Sequence, residues 1–198
     1  MAQPYIVALG GTTRMHSSTE RALALCLREI GSRGAETCLL AGRDLDLPPY
    51  APGVPLPQAA RQIVSELRRA DGVILGSPGY HGGISGLVKN ALDYVEELRT
   101  DQRPYLEGRA VGCVVTAAGE QGAVTTLMAL RSVVHALRGW PTPLGAAIVT
   151  SGETFDQTGE CLSQKIDWQL RAMSRQVLAF ARLQASAPES ILVDPGGA

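Results

Sequence analysis

Apolar residues along this chain fall into short unbroken runs, separated by longer stretches in which they recur every three or four positions. Runs at 4–9 (PYIVAL), 72–77 (GVILGS), 110–117 (AVGCVVTA) and 145–151 (GAAIVTS) have strand length, and 35–40 (AETCLL) alternates weakly, as a further strand does. Between them the spacing predicts helices. The first covers 17–31, with Leu23, Leu27 and Ile30 near one face and Gly31 as a stop. The second covers 58–70, with Ile63, Val64 and Leu67 placed for burial. Others follow at 86–98, 123–138 and roughly 160–184. The stretch 47–57 (LPPYAPGVPLP) reads as loop, because proline fixes φ and removes a backbone donor.

A strand–helix alternation repeated five times predicts parallel strands joined by right-handed crossovers. Continuous apolar strands indicate a sheet covered on both faces. The expected fold is α/β: a flavodoxin-like three-layer sandwich, with a five-stranded parallel sheet of order 2-1-3-4-5 and helices on both faces. One domain over 1–185 and a flexible C-terminal tail over 186–198 are expected. In such sheets ligands bind beyond the carboxyl ends of the strands, where the order reverses. That directs attention to the loops beginning near Gly10, Ser77 and Thr116.

Composition narrows the field. The chain has 198 residues and a formal net charge of −1, which leaves no basic footprint for nucleic acid. No apolar run approaches the roughly 20 residues of a membrane span, and MAQPYIVAL lacks the basic start of a signal peptide. Cys26, Cys38, Cys113 and Cys161 are scattered and read as small apolar residues. The cytoplasm is the expected compartment. No His, Cys or Asp cluster has metal-ligand spacing, so no metal is expected.

The first loop, LGGTTRMHSSTERAL, carries the strongest chemical signal. Gly10 and Gly11 allow a tight turn off the strand, and Thr12, Thr13, Ser17, Ser18 and Thr19 offer hydroxyls beside a helix N-terminus. Arg14 adds a full positive charge. A plain helix cap needs one hydroxyl, and five stand here, which favours the phosphate of a mononucleotide. The loop is not a nucleoside-triphosphate loop, since the lysine of that motif is missing. His16 reads as a solvent-exposed loop residue. The second loop, SPGYHGGISG, has four glycines in ten residues, which permit close backbone approach to a flat ligand, with Tyr80 and His81 able to flank a ring or a partner subunit. The third, TAAGEQGA, is similarly small-residued and by itself says little.

With these loops in place the chain resembles the NADPH-dependent FMN reductase family, flavodoxin-like proteins that include azo, quinone and chromate reductases. Gly11-Thr12-Thr13-Arg14-Met15-His16-Ser17-Ser18-Thr19 follows the family's first-loop pattern, with Thr12 in the usual serine place. Pro78, Tyr80, Lys89, Asn90 and Asp93 follow its second signature. Gly79 stands where glutamate is frequent, and His81 where asparagine is common. The resemblance implies that Thr12, Arg14, Ser17, Ser18 and Thr19 hold the phosphate of FMN. It implies that Pro78, Gly79, Tyr80, His81, Gly82 and Gly83 line the isoalloxazine ring, and that Thr116, Ala118 and Gly119 border its pyrimidine end. Lys89, Asn90 and Asp93 are read as stabilising their helix and its junction with the loop rather than as catalytic.

The implied activity is hydride transfer from NADPH or NADH to flavin and on to a small-molecule acceptor: flavin, quinone, azo compound or metal oxyanion. The flavin carries the chemistry, so no catalytic side chain is required. A flavodoxin-type electron carrier and a non-enzymatic phosphate-binding module are the alternatives, and the near-neutral charge argues against the carrier. The resemblance also implies a homodimer or homotetramer. Leu87, Ala91, Leu92 and Val95 are candidates for core or interface alike.

Overall fold

The computed structural model describes residues 3–150 and 154–186. Residues 187–198 of the expected tail, and residue 151 of the last expected strand, lie outside them. The sheet contains β1 (Tyr5–Gly10), β2 (Glu36–Leu40), β3 (Gly72–Tyr80), a short β4 (Gly83–Ile84), β5 (Ala110–Ala117), β6 (Trp140–Pro141) and β7 (Ala146–Val149). Its order is β2-β1-β3-β5-β6, with β7 also on β5 and β4 on β3. All pairings are parallel except β3 with β4. β7 is the expected fifth strand, and β6 is a short unexpected segment ahead of it on the same edge of β5, so the 2-1-3-4-5 order is borne out. Pro141 and Pro143 lie at the interruption, where a missing backbone donor breaks a ladder. Thr142 keeps the two segments aligned: its N–H donates to Val111 O at 3.0 Å and its hydroxyl to Leu144 O at 2.8 Å.

The helices are α1 (Ser18–Gly31), α2 (Gln58–Arg69), α3 (Gly86–Asp93), α4 (Glu120–Ala136) and α5 (Gln164–Ser186). Alternation along the strands divides the core in two. Val7, Leu9, Val73, Leu75, Val111, Cys113 and Val115 pack against α2, α3 and α4. Ile6, Ala8, Ile74, Val114, Ala146 and Ile148 pack against α1 and α5. Among the described residues no helix is long and apolar enough to cross a membrane.

Three helix boundaries differ from expectation. The stretch 86–98 is α-helical only to Asp93 and tightens into a 3-10 turn over Tyr94–Leu98. α4 starts at Glu120, with Gly119 as an extended cap at φ −139°, so Gly122 is helical rather than loop. α5 starts at Gln164, because Asp156 Oδ1 gathers Thr158 N, Thr158 Oγ1 and Glu160 N into a turn, and Phe155 bridges Cys161.

α1 and α5 are joined by the buried Glu29, whose carboxylate accepts from Arg33 at 2.7 Å and from Arg171 and Arg175 at 3.1 Å each. Burial raises the carboxyl's pKa, but the three guanidiniums outweigh it and hold it below the usual range. A carboxyl that titrates lower in the folded than in the unfolded chain stabilises above the unfolded pKa, about 4.3, and that contribution is lost as pH falls through the folded value. Glu29→Gln is therefore expected to cost about 2 kcal/mol at pH 7. Urea denaturation should show the gap between variant and wild type closing as pH is taken below 4.

Candidate functional site

The first loop is shaped by the close approach of β1 to β3. Gly10 has φ +149° and Gly11 φ +113°, and Gly11 N–H donates to Gly76 O at 3.2 Å. A Cβ on Gly10 would lie 1.9 Å from that same carbonyl oxygen, so no side chain fits. Thr12 Oγ1 then accepts from Arg14 N–H at 3.1 Å and donates to Arg14 O at 3.2 Å, closing a local turn. Ser17 caps α1 by accepting from Glu20 N–H at 3.3 Å, while Glu20 Oε2 accepts from His16 N–H at 2.9 Å. His16 is exposed, as expected.

What remains unpaired matters more. Among the described residues, the backbone N–H groups of Thr12, Thr13, Met15, Ser17, Ser18 and Thr19 meet no protein acceptor, nor does the exposed guanidinium of Arg14. These donors crowd the N-terminus of α1, where the helix dipole adds partial positive charge. The arrangement is chemically fit for a phosphate dianion. The Thr19 hydroxyl is engaged elsewhere: it is buried and shares a 2.6 Å hydrogen bond with Thr116 Oγ1, tying the start of α1 to the end of β5.

The second loop is a β-hairpin, which the glycine-rich sequence did not announce. β3 runs past Ser77 to Tyr80 and pairs antiparallel with β4, Gly79 opposite Ile84 and Tyr80 opposite Gly83. Both turn residues are left-handed, His81 at φ +52° and Gly82 at φ +79°, as in the type I′ turns that join such strands. Two buried serines fix it. Ser77 Oγ donates to Pro78 O at 2.8 Å and accepts from Ser85 N–H at 3.0 Å, and Ser85 Oγ caps α3 at Val88 N–H, 3.3 Å. The hairpin leans on α4: a Cβ on Gly79 would come within 3.0 Å of Thr126 Oγ1 and 3.1 Å of Gly122 O. That Thr126 hydroxyl is the one buried side-chain polar atom without a partner among the described residues. Pro78 is buried in β3, whereas Tyr80, His81 and Gly82 are exposed.

The third loop completes the crevice. Pro78 pairs with Thr116 across β3 and β5, so hairpin and third loop stand side by side, and Ala118 and Gly119 are exposed at the α4 N-terminus. The fourteen candidate residues thus gather on three adjacent strands, at the carboxyl ends of β1, β3 and β5, where the chain order reverses.

Other candidates hold the frame. Asn90 Oδ1 accepts from Tyr50 N–H at 2.9 Å and its Nδ2 donates to Leu47 O and Pro48 O, fastening the proline-rich loop to α3. Lys89 pairs with Asp93 on the same exposed flank. Ala91, Leu92 and Val95 are core and Leu87 packs against it. Burial pushes the Cys26 and Cys113 thiols up to about 12, and raises Cys38 and Cys161 as well, so none is poised as a thiolate. Among the described residues no group of side chains is placed to hold a metal ion.

A doubly covered parallel sheet with a donor-rich first loop and a glycine hairpin beside it defines a flavodoxin-like protein shaped for a mononucleotide. The family model for NADPH-dependent FMN reductases matches residues 4–154, and the chain belongs to that family. It is 30% identical over 145 residues to the FMN-dependent NADPH-azoreductase of Staphylococcus aureus (strain USA300), covering 70% of this chain and 72% of that one. Among solved structures, FerB of Paracoccus denitrificans, a flavoenzyme NAD(P)H:(acceptor) oxidoreductase, superposes with a TM-score of 0.77 at 18% identity, over 91% of this chain and 98% of that one. A WrbA-like flavodoxin from Agrobacterium tumefaciens gives 0.63 at 16% identity, over 92% and 99%. At those identities the structural likeness speaks for the fold. Family membership makes the chain an NAD(P)H-dependent oxidoreductase that works with FMN.

Proposed function

We propose that this chain binds FMN across the three loops and uses NADPH or NADH to reduce a small-molecule acceptor: a flavin, quinone, azo compound or metal oxyanion. The observation that carries the site assignment is the set of six backbone N–H groups that have no acceptor among the described residues around the α1 N-terminus, with the exposed guanidinium of Arg14 beside them. Thr12, Arg14, Ser17 and Ser18 hold the phosphate, with the backbone of Thr19, whose side chain braces the loop through Thr116. Pro78, Gly79, Tyr80, His81, Gly82 and Gly83 line the ring, and Thr116, Ala118 and Gly119 border its pyrimidine end. FMN, when bound, supplies the two-electron chemistry. The α4 N-terminus at Gly119 presents backbone donors that favour negative charge beside it. The azoreductase relative makes azo compounds a natural first acceptor to try.

A second copy of the chain is proposed to cover the exposed Val124 and Met128 of α4, the helix on which the hairpin rests. The free thiols suit a cytoplasmic enzyme.

The direct test is the Arg14→Ala, Ser17→Ala double variant. Removing a charged donor and a hydroxyl should weaken FMN by about 3 kcal/mol, on the order of 100-fold in Kd, read by quenching of flavin fluorescence. Ser17 also caps α1, so thermal denaturation should accompany it to register the roughly 1 kcal/mol of lost helix stability. Unchanged FMN affinity in a folded double variant refutes the phosphate assignment.

A further inference from the structure

His81 sits at the first of the two turn positions between β3 and β4, at φ +52°. Asparagine and glycine are the usual residues of such a turn, and a histidine in their place at the lip of a ligand crevice invites a functional reason. Its side chain is exposed and makes no hydrogen bond among the described residues, so packing does not supply one.

The chemistry of the acceptor does. Converting a quinone to a hydroquinone takes two electrons and two protons. A hydride delivers both electrons with one proton, and the second proton must reach the other carbonyl oxygen from elsewhere. The titratable groups on the hairpin and on the elements next to it are Tyr80 on its own strand, Glu120 at the start of α4, the Lys89–Asp93 pair on α3, and Arg14 and His16 on the first loop. As residue types, a phenol, an ammonium and a guanidinium are much weaker acids than an imidazolium, and a carboxylate has no proton to give. His16 lines a cleft of about 240 Å³ with Glu20, Arg21 and Arg28 of α1 and with residues 157–159, none of them on the hairpin. An imidazole is the side chain that exchanges a proton in the neutral range, and His81 is the one on the ring-lining hairpin.

We infer that His81 is the proton donor to the acceptor: its imidazolium gives one proton to the second carbonyl oxygen of a quinone, or to the second nitrogen of an azo linkage, as the first atom takes the hydride. The imidazole is left neutral and regains its proton from water. This rests on the reading that the ring lies against residues 78–83.

The test is His81→Asn, a side chain that suits the left-handed turn. Quinone reduction by wild-type protein should fall as pH rises, because the protonated form is active. In the variant that slope should vanish, with the rate at pH 6 down about 100-fold. Ferricyanide takes an electron and no proton, so the ratio of quinone to ferricyanide rates should drop whatever the variant does to flavin binding, and added imidazole should restore the ratio. Independently of turnover, hydroquinone added to the FMN-loaded protein should shift the His81 imidazole proton resonance. A variant that keeps the wild-type pH slope and rate ratio overturns the inference alone. Wild-type protein that binds no FMN removes both the inference and the reading beneath it.

Discussion

Gly10→Ala is expected to lower the stability of the protein by roughly 4 kcal/mol and to take FMN binding with it. Two penalties combine. The residue holds φ +149°, which L side chains rarely adopt, and strain of that kind costs of order 1–3 kcal/mol. Its Cβ would also lie 1.9 Å from Gly76 O and 2.6 Å from Gly76 C, backbone atoms of the neighbouring central strand, and overpacking costs about as much again. Relief requires β1 and β3 to part at their carboxyl ends, which is where Gly11 N–H meets Gly76 O and the first loop begins. Gly34→Ala separates the two penalties. It also has positive φ, at +82°, but nothing lies within 4 Å of its missing Cβ, so only the conformational part, about 1 kcal/mol, should appear. Urea midpoints for the two variants measure the difference. Equal midpoints would show that the strand contact is not what requires glycine at position 10.

The apolar runs located the sheet because burial on both faces leaves little room for polar residues, and 110–117 coincides with β5 end to end. The first loop was legible for a similar reason: hydroxyl and glycine residues between a strand and a helix have few other uses. Much of the site, however, is backbone. The N–H groups of Met15 and Ser17 belong to no residue type, and only the fold shows that they have no acceptor among the described residues. The hairpin escaped notice because His-Gly lacks the asparagine that usually marks a type I′ turn. The Thr19–Thr116 bond joins residues 97 positions apart, a pairing that local pattern cannot express. The change to a 3-10 turn at Tyr94 is silent for another reason. Ala91, Leu92, Val95 and Leu98 are buried whether the pitch is 3.6 or 3.0 residues.

The opposite end of β5 sets up a stability effect of comparable size that should leave the site untouched. Arg109 is 1% exposed, and among the described residues its guanidinium meets no carboxylate. It donates instead to four backbone carbonyls: Ala70 O at 2.8 Å, Arg68 O at 2.9 Å, Tyr105 O at 3.1 Å and Glu107 O at 3.3 Å. Burial, together with the neighbouring Arg103, pushes its pKa down to about 10, so the side chain stays charged at neutral pH at the cost of desolvation. Arg109→Met removes that cost but strands the carbonyls that end α2 and flank β5, at about 1–3 kcal/mol each. The net loss should be roughly 4 kcal/mol by urea denaturation, with Arg109→Lys intermediate, since an ammonium has three donors and no planar fork to span them. Residue 109 lies a full strand from the third loop, roughly 25 Å at 3.3 Å per residue. The folded fraction of either variant should therefore bind FMN with wild-type affinity. A weakened flavin site in folded Arg109→Met protein would mean that the amino end of the sheet helps to set the geometry of its carboxyl end.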